Sequence, residues 1–201
     1  PTAGSATVLG LDTRAAPLAI RRQVGIVLDE SSLEDRLTAR QHLAFAAGAH
    51  QTDQDPMAAL EQVGLADAAD RRVTAFSTGM HQRLQLAMAL IGDPALLLLD
   101  EPATGLDPSG QRWLAELLER ERDRGRTVLI SSHRLDQIEA ISDRVGILVD
   151  GELRAVGTPA ALGGVAEQVF VTVPDGEMIR PDRVRELDGV STVQVCGDTD
   201  R

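Results

Sequence analysis

Four short runs of apolar residues constrain the fold more than any other feature of this 201-residue sequence. The runs are VGIVL, ALLLL, TVLIS and VGILV, at residues 24–28, 95–99, 127–131 and 145–149. Because polar and apolar residues do not alternate in them, each run is typical of a strand buried on both faces, as in a parallel sheet. Helical patterns separate the last three runs, and this βαβ alternation predicts an α/β fold with right-handed crossovers.

A long insert between the first two runs, roughly residues 30–93, shows helical patterns and no convincing strand. Thr38 is placed to cap a helix over TARQHLAFAAGAH, and threonine is a favoured N-cap residue. Asp55 and Pro56 can open a second helix, which Gly64 ends. The insert is therefore predicted to be a helical subdomain.

The third helix of the insert begins in FSTGM, residues 76–80. Its apolar residues recur at the i, i+4, i+7, i+8, i+11 spacing of an amphipathic helix: Met80, Leu84, Ala87, Met88 and Ile91. Ser77 and Gly79 stand where the first turn leaves backbone N–H groups without helical partners, at the positive end of the dipole. Such a helix start favours an anion, although Ser77 is equally suited to be an ordinary N-cap.

Further signals follow the second run. Asp107-Pro108 can begin a helix that ends at Gly125. Another helical pattern carries three spaced apolar residues: Leu135, Ile138 and Ile141. Asp150-Gly151 predicts the turn of a β-hairpin. Beyond about residue 158 the pattern weakens, and we expect one domain over residues 1–162 and a partial α+β extension over residues 163–201.

The composition narrows the classes of function. The net charge of −11 argues against a nucleic-acid groove. Cys196 is the only cysteine, so a passive thiol is expected in place of a disulfide or a cysteine metal cluster. No apolar run approaches the ~20 residues that span a bilayer, which predicts a cytoplasmic protein. Arginine accounts for all 20 of the Lys and Arg residues, so the sequence contains no lysine.

Two adjacent acids end the second run, in LLLLDEP. A buried strand that ends in carboxylates delivers them to the carboxyl edge of a parallel sheet. Asp100 is suited to hold Mg²⁺ through oxygen, and Glu101 can orient and partly deprotonate a water molecule. The alternative is that two acids simply end a strand at the surface.

His133 follows the third run, in TVLISSH, and an imidazole there can hydrogen-bond a phosphate in either ionisation state. A structural or solvated histidine is the alternative. His42, His50 and His81, on predicted helices without evident partners, are assigned to that alternative.

The order of these motifs resembles the ATP-binding cassette (ABC) ATPase family, over the chain from its first residues to about Leu162. FSTGM is similar to the family's signature motif, usually written LSGGQ, with Ser77 and Gly79 retained. Threonine and methionine stand at the two differing positions, and the following Gln82-Arg83 also fits. This FS-x-GM form is similar to the drug- and antibiotic-exporter branch.

The other motifs extend the resemblance. LLLLDEP resembles Walker B, which implies Asp100 for Mg²⁺ and Glu101 as general base. The segment 105–107 is similar to the D-loop, with Asp107 facing nucleotide, and His133 is similar to the switch histidine. The resemblance implies a P-loop NTPase (RecA-like) sheet with a helical subdomain, and ATP and Mg²⁺ as cofactors.

The resemblance also implies where the helix start at FSTGM finds its anion. In the family two cassettes stack head to tail, and the signature helix of one closes over ATP held by the other. Ser77 and Gly79 would then meet the γ-phosphate on a second nucleotide-binding subunit. The implied partners are that subunit and integral membrane permease subunits, with the chain peripheral to the inner face of the cell membrane.

Two departures from the family pattern stand out. Asp29 takes the place of the Q-loop glutamine, where a carboxylate can reach the metal through water or be a plain loop acid. No G-x-x-x-x-G-K-[ST] motif occurs, although this P-loop cradles the β- and γ-phosphates. The first residues resemble the segment just downstream of the P-loop helix, so the P-loop is expected to be missing from the N-terminal end.

Three readings of the function follow. The first is the ATPase subunit of an ABC transporter, an exporter, inactive in hydrolysis as the 201-residue chain alone. The second is a degenerate cassette that regulates an active partner. The third is a soluble ABC ATPase of DNA repair or translation, against which stand the absence of a long coiled-coil insertion and the acidic composition.

Overall fold

The computed structural model describes residues 4–28, 33–133 and 141–162, together with the backbone of residues 169–170. The contacts divide the chain into a first unit, Pro1–Val128, and a second unit, Leu129–Arg201. The domain boundary expected after residue 162 stays a prediction.

The first unit opens with a small hairpin that the sequence analysis did not anticipate. Strands β1 (Thr7–Val8) and β2 (Leu11–Asp12) pair antiparallel. The two turn residues between them, Leu9 and Gly10, have φ angles of 51° and 76°, the left-handed geometry of a tight hairpin turn. A short helix, α1 (Pro17–Arg21), follows.

A parallel sheet forms the centre of this unit. Strands β3 (Val24–Val27) and β4 (Leu96–Asp100) pair in parallel, with Val24 opposite Leu96. Strand β5 (Thr127–Ser131) crosses into the second unit. Its first residue donates an N–H to the Ala95 carbonyl at 3.1 Å, giving the strand order β3-β4-β5. The predicted parallel pairing is confirmed for β3 and β4; the fourth apolar run, in β6 (Val145–Val149), pairs antiparallel in the residues described.

The two faces of β3 differ in burial. Gly25 and Val27 lie on one face, which is buried, and Val27 is 2% exposed. On the other face Val24 is 4% exposed, but Ile26 is 50% exposed and Leu28, just beyond the strand, is 56% exposed. The prediction that the strand is buried on both faces is therefore wrong for β3 as it stands in this structure. An unbroken apolar run indicates that both faces suit burial; it does not identify the residues that would cover them.

The insert is helical in the residues described, as predicted. Its helices are α2 (Ala39–His50), α3 (Pro56–Gln62) and α4 (Thr78–Leu90), with 3₁₀ turns at Ala66–Ala68 and Val73–Ala75. Thr38 caps α2 in a full capping box with Gln41, and Asp55 caps α3 through the Met57 N–H. The helices share one core, whose largest fully buried side chains include Leu43, Leu60, Val63, Leu84 and Ile91.

Helix α4 is buried on two sides. Its predicted apolar side, with Leu84 and Ala87, lies in the helical core. Ala89 is also buried and lies against β3, where a Cβ at Gly25 would overlap the Ala89 carbonyl oxygen. Only a glycine permits this approach of helix backbone to strand, so α4 joins the helical insert directly to the sheet.

His42 has partners that the sequence analysis did not foresee. The ring is 4% exposed, and its Nε2 accepts the Glu34 N–H at 3.0 Å. Its Nδ1 lies 3.0 Å from the Thr38 carbonyl oxygen, which only accepts, so we assign the proton to Nδ1 in a neutral ring. His42 therefore has a structural role, holding the loop before α2.

Helix α5 (Pro108–Asp123) leads from β4 to β5 and ends at a buried ion pair. The Glu121 side chain, 3% exposed, accepts from Arg126 at 2.8 Å and from Arg124 at 2.9 Å. Arg126 also donates to the Pro94 carbonyl and, at 2.8 Å, to Asp93. One guanidinium thus ties the end of α5 to the loop before β4.

The second unit contains the predicted hairpin. Strands β6 (Val145–Val149) and β7 (Glu152–Gly157) pair antiparallel, and the turn residues Asp150 and Gly151 have φ angles of 50° and 78°. Strand β8 (Val169–Phe170) pairs with the other side of β6, and a short helix α6 (Pro159–Leu162) follows β7.

Some sequence expectations lie outside the described residues. They are most of the helix with Leu135 and Ile138, the extension over residues 163–201 apart from the backbone of residues 169–170, and Cys196. Across the part of the chain that is described, no helix has the length and apolar character needed to cross a membrane.

Two arginine–carboxylate pairs offer a matched test of burial. Arg126→Met leaves the Glu121 carboxylate buried with Arg124, itself 60% exposed, so we expect the free energy of unfolding to fall by about 3–5 kcal/mol. Arg40→Met breaks the pair with Asp70, whose side chains are 45% and 77% exposed, and should change the free energy of unfolding much less, because solvent screens an exposed pair. Urea unfolding followed by circular dichroism measures both, and equal losses would contradict a stabilising role for the buried pair.

Candidate functional site

Ser77 caps α4 and remains exposed. Its Oγ accepts the Met80 N–H at 3.3 Å. Because the hydroxyl acts as an acceptor in this bond, its own hydrogen is left to be donated elsewhere. The N-cap role and an anion-binding role are thus compatible in the same side chain. The free N–H groups of the first turn, including that of Gly79, also favour an anion.

His81 supports this helix start from within the chain. Its Nδ1 lies 3.0 Å from the Ser77 carbonyl oxygen. The ring meets Phe76 edge-on, with centroids 5.8 Å apart, and the Arg71 guanidinium lies 5.9 Å from the Phe76 centroid. The expectation that His81 lacks partners is therefore wrong, while its assignment to a structural role agrees with these contacts.

The loop at residues 105–107 lies directly against the start of α4. Gly105 has a φ of +73°, and a Cβ there would come within 2.7 Å of the Thr78 Cγ2. A Cβ on Gly79 would lie 3.6 Å from the Leu106 Cδ2. The small residues of both segments therefore allow their backbones to approach closely.

Asp107 caps α5, as predicted from Asp107-Pro108. Its Oδ1 accepts the Gly110 N–H at 2.9 Å. This hydrogen bond stabilises the carboxylate and, together with bonds from Ser109, holds the pKa of Asp107 below its ordinary value. The side chain is therefore negatively charged at neutral pH, beside the start of α4.

Asp100 and Glu101 end β4. Asp100 is exposed and Glu101 half-buried. Glu101 has a φ of +48°, a left-handed conformation that is uncommon for a residue with a side chain and that often occurs at functional sites. Its carbonyl accepts the Thr104 N–H at 3.1 Å, which closes the turn after the strand.

Three further residues were predicted for the site: Gln82, His133 and Asp29. Gln82 is half-buried on α4, and His133 is exposed after β5 in the second unit. Asp29 lies outside the described residues. The structure thus brings the Ser77–Gly79 and Gly105–Asp107 segments together, and it places Asp100 and Glu101 side by side at one strand end.

Sequence reasoning gave Arg83 no role of its own. Its guanidinium carbon lies 4.0 Å from the centroid of the Trp113 ring on α5, and its Nη1 donates to the Val63 carbonyl at 2.9 Å. Burial lowers the pKa of Arg83, and the charge of Asp107 acts in the opposite direction. The one signal in the sequence was that Trp113 is the sole tryptophan.

Gly105→Ala tests the approach of the two segments. Both Gly105 and Gly125 have left-handed φ angles, +73° and +83°, but a Cβ at Gly125 meets nothing within 4 Å. Backbone strain alone should make Gly125→Ala cost about 1–2 kcal/mol of unfolding free energy. Gly105→Ala should cost at least about 1 kcal/mol more, because its methyl group collides with Thr78. Urea unfolding compares them, and equal costs would mean that the loop is not held against α4.

The sequence is similar to those of known proteins. A family profile described as ABC transporter matches residues 1–104, which is more than half of the 201 residues. The phospholipid-transporting ATPase ABCA7 of Homo sapiens is 36% identical over 169 residues, covering 81% of this chain and 8% of that protein. The Nod factor export ATP-binding protein I of Neorhizobium galegae is 36% identical over 167 residues, covering 81% of this chain and 48% of that protein. The chain thus spans half or less of these relatives.

Two solved structures are similar to the chain. An ATP-binding subunit of an ABC transporter superposes with a TM-score of 0.71 at 29% identity, covering 79% of this chain and 68% of that one. A dimeric ATP-binding cassette in a post-hydrolysis state, bound to ADP and phosphate, has the same TM-score at 23% identity and covers 79% and 74%. At that lower identity the likeness concerns the fold alone. Together these findings show that the chain has the α/β fold of P-loop NTPases and belongs to the ABC transporter family.

Proposed function

We propose that this chain is the ATP-binding cassette of an ABC exporter, which couples ATP binding and hydrolysis in a head-to-tail dimer to export through membrane permease subunits. The observation that carries the proposal is the contact between the start of α4 and the 105–107 loop. It gathers a capped helix start, small residues and a charged aspartate at one edge. Relatives named for phospholipid transport and Nod factor export support an export role.

In this proposal the α4 start binds the γ-phosphate of ATP that the partner cassette holds. The Ser77 hydroxyl donates to a phosphate oxygen while its lone pair continues to accept the Met80 N–H. The Gly79 N–H donates to the same phosphate, and Gln82 lies one turn further along the helix. Asp107, negatively charged, approaches the nucleotide interface from the start of α5. The Ser77 hydroxyl and the Gly79 N–H stabilise charge that develops on the phosphate.

The acids at the end of β4 have the chemistry that hydrolysis needs. Glu101 accepts a proton from the attacking water, and Asp100 would supply the protein ligand for Mg²⁺. Within the described residues no group of three or more His, Cys, Asp or Glu side chains is arranged to hold a metal ion. A single carboxylate still fits, because Mg²⁺ commonly binds one or two carboxylates together with water and phosphate oxygens. When bound, Mg²⁺ would neutralise charge on the phosphates.

His133 and Asp29 complete the proposed site. His133 hydrogen-bonds the terminal phosphate from the residue after β5, where its side chain is exposed. Asp29, at the Q-loop position, would reach Mg²⁺ through a water molecule. The chain works at the cytoplasmic face of the membrane, attached to the permease subunits.

A second candidate function is a degenerate cassette that regulates an active partner. The observation in its favour is that the 201 residues contain no lysine and no P-loop motif. The first proposal requires a P-loop that cradles the phosphates. The gene sequence upstream of Pro1 distinguishes the two: an in-frame P-loop supports the exporter, and a start codon at this point supports the regulator.

Glu101→Gln in the cassette with its P-loop tests the general base. The amide keeps the shape but cannot take a proton, so hydrolysis should fall by about 10²–10⁴-fold. ATP binding should be unchanged, and an ATP-bound dimer should accumulate on size exclusion. Glu116→Gln, on the exposed side of α5, is the matched control. Equal hydrolysis rates for Glu101→Gln and wild type would reject Glu101 as the base.

The 201-residue chain alone, assayed beside them, should show no ATP turnover, because it contains no P-loop motif.

Ser77→Arg tests whether the helix start serves the partner's nucleotide. A bulky side chain where the γ-phosphate approaches should abolish dimer closure and hydrolysis while ATP binding by the same chain stays nearly unchanged. Thr74→Arg, exposed three residues earlier, adds the same bulk and charge and should remain active.

A mixing experiment locates the two halves of each site. Ser77→Arg combined with a variant that lacks only the P-loop lysine should recover activity, to at most one working site per dimer. The ATPase rate is measured against mixing ratio at fixed total protein. A flat line at background, with heterodimers present, would show that Ser77 acts within its own chain or not on phosphate.

A further inference from the structure

Helices α4 and α5 begin side by side. Ser77 caps the first and Asp107 caps the second. Thr78 lies next to Gly105, and Gly79 lies next to Leu106, as the space around the two glycines shows. The two starts are therefore level with each other and face the same edge of the first unit.

A second contact joins the same helices higher up. Arg83 is six residues beyond the cap of α4, and Trp113 is six residues beyond the cap of α5. At ~1.5 Å per residue, both lie ~9 Å from their helix starts. The Arg83 guanidinium lies 4.0 Å from the Trp113 ring centroid, within the range of a cation–π contact. Contacts at two heights prevent one helix from pivoting on the other.

Arg83 is itself held from a third side. Its Nη1 donates to the Val63 carbonyl, at the end of α3. The next residue, Gly64, has a φ of +70°, and a Cβ there would lie 3.3 Å from that nitrogen. Trp113 also packs against the helical core. A planar guanidinium can stack on a ring and donate at its edge together, which a lysine ammonium cannot do.

We propose that Arg83 is a positioning residue, whose stack on Trp113 and bond to Val63 hold the starts of α4 and α5 as one rigid edge. Ser77, Gly79 and Asp107 then act on one ligand together. That the ligand is a nucleotide rests on the proposed function. The coupling between the two helix starts is a property of the ligand-free chain and is tested without nucleotide.

Amide hydrogen exchange of the ligand-free protein is the first test. Arg83→Met should speed exchange roughly tenfold at the start of both helices. The informative amides are bonded to the caps: Met80, His81, Gly110 and Gln111. Arg112→Met, an exposed change on α5 with the same loss of charge, should leave these rates unchanged. Faster exchange confined to the segment around Val63, or spread evenly over the chain, overturns the proposal.

A double-mutant cycle guards against simple loss of folding. Trp113→Ala should reproduce the exchange pattern of Arg83→Met, and the double variant should be no worse than either single variant. Trp113→Phe retains a ring face and should stay within about threefold of wild type. Additive effects of Arg83→Met and Trp113→Ala would overturn the coupling.

Kinetics of the cassette with its P-loop give the second test. Arg83→Met should lower kcat on the order of tenfold and leave KM for ATP within about twofold, because the nucleotide is bound but the two helix starts no longer act together. A fall in kcat that only follows the folded fraction, or no fall, overturns the positioning role. Wild-type protein without ATP turnover would overturn the proposed function, while the exchange experiment would still decide the role of Arg83.

Discussion

The structure of the first unit depends on the close approach of α4 to β3 at Gly25. The Ala89 carbonyl occupies the space that any side chain would need, so helix and strand meet through their backbones. The opposite side of the same helix fills the core of the helical insert. One helix therefore determines where the sheet ends and the insert begins, and the helix start at Ser77 takes its position from this contact.

Opposite charges meet at the edge that these elements form. The first turn of α4 carries the positive end of a helix dipole, and the charged Asp107 lies close to it through the 105–107 loop. Asp107 also satisfies the first turn of α5 through Gly110. The start of α4 therefore keeps N–H donors available for an external anion, whereas the start of α5 is already capped by the Asp107 carboxylate. The two adjacent helix starts are chemically different.

Local signals in the sequence predicted more than distant ones. The caps Thr38, Asp55 and Asp107, and the hairpin turn at Asp150-Gly151, were predictable because cap and turn geometry depend on residues within a few positions. The parallel pairing of β3 with β4 followed from unbroken apolar runs. The exposure of Ile26 did not, because burial depends on what covers a face and not on the run itself.

The candidate site divides in the same way. Ser77, Gly79, Asp100, Glu101 and Asp107 were predicted from short motifs. The stack of Arg83 on Trp113 joins residues far apart in the chain, and no local pattern pairs one arginine among 20 with one particular ring. The partners of His42 and His81 were missed for a different reason: both accept or donate to backbone groups, which a sequence motif does not display.

The stack has an optical consequence. The chain contains one tryptophan and no tyrosine, so nearly all of its near-ultraviolet emission arises from an indole lying under a guanidinium between two helices. A nearby cation and partial burial both set the energy of that excited state. Any event that separates α4 from α5 should therefore shift the emission wavelength of the protein's intrinsic fluorescence. The molecule thus carries its own unlabelled reporter at the contact between these two helices.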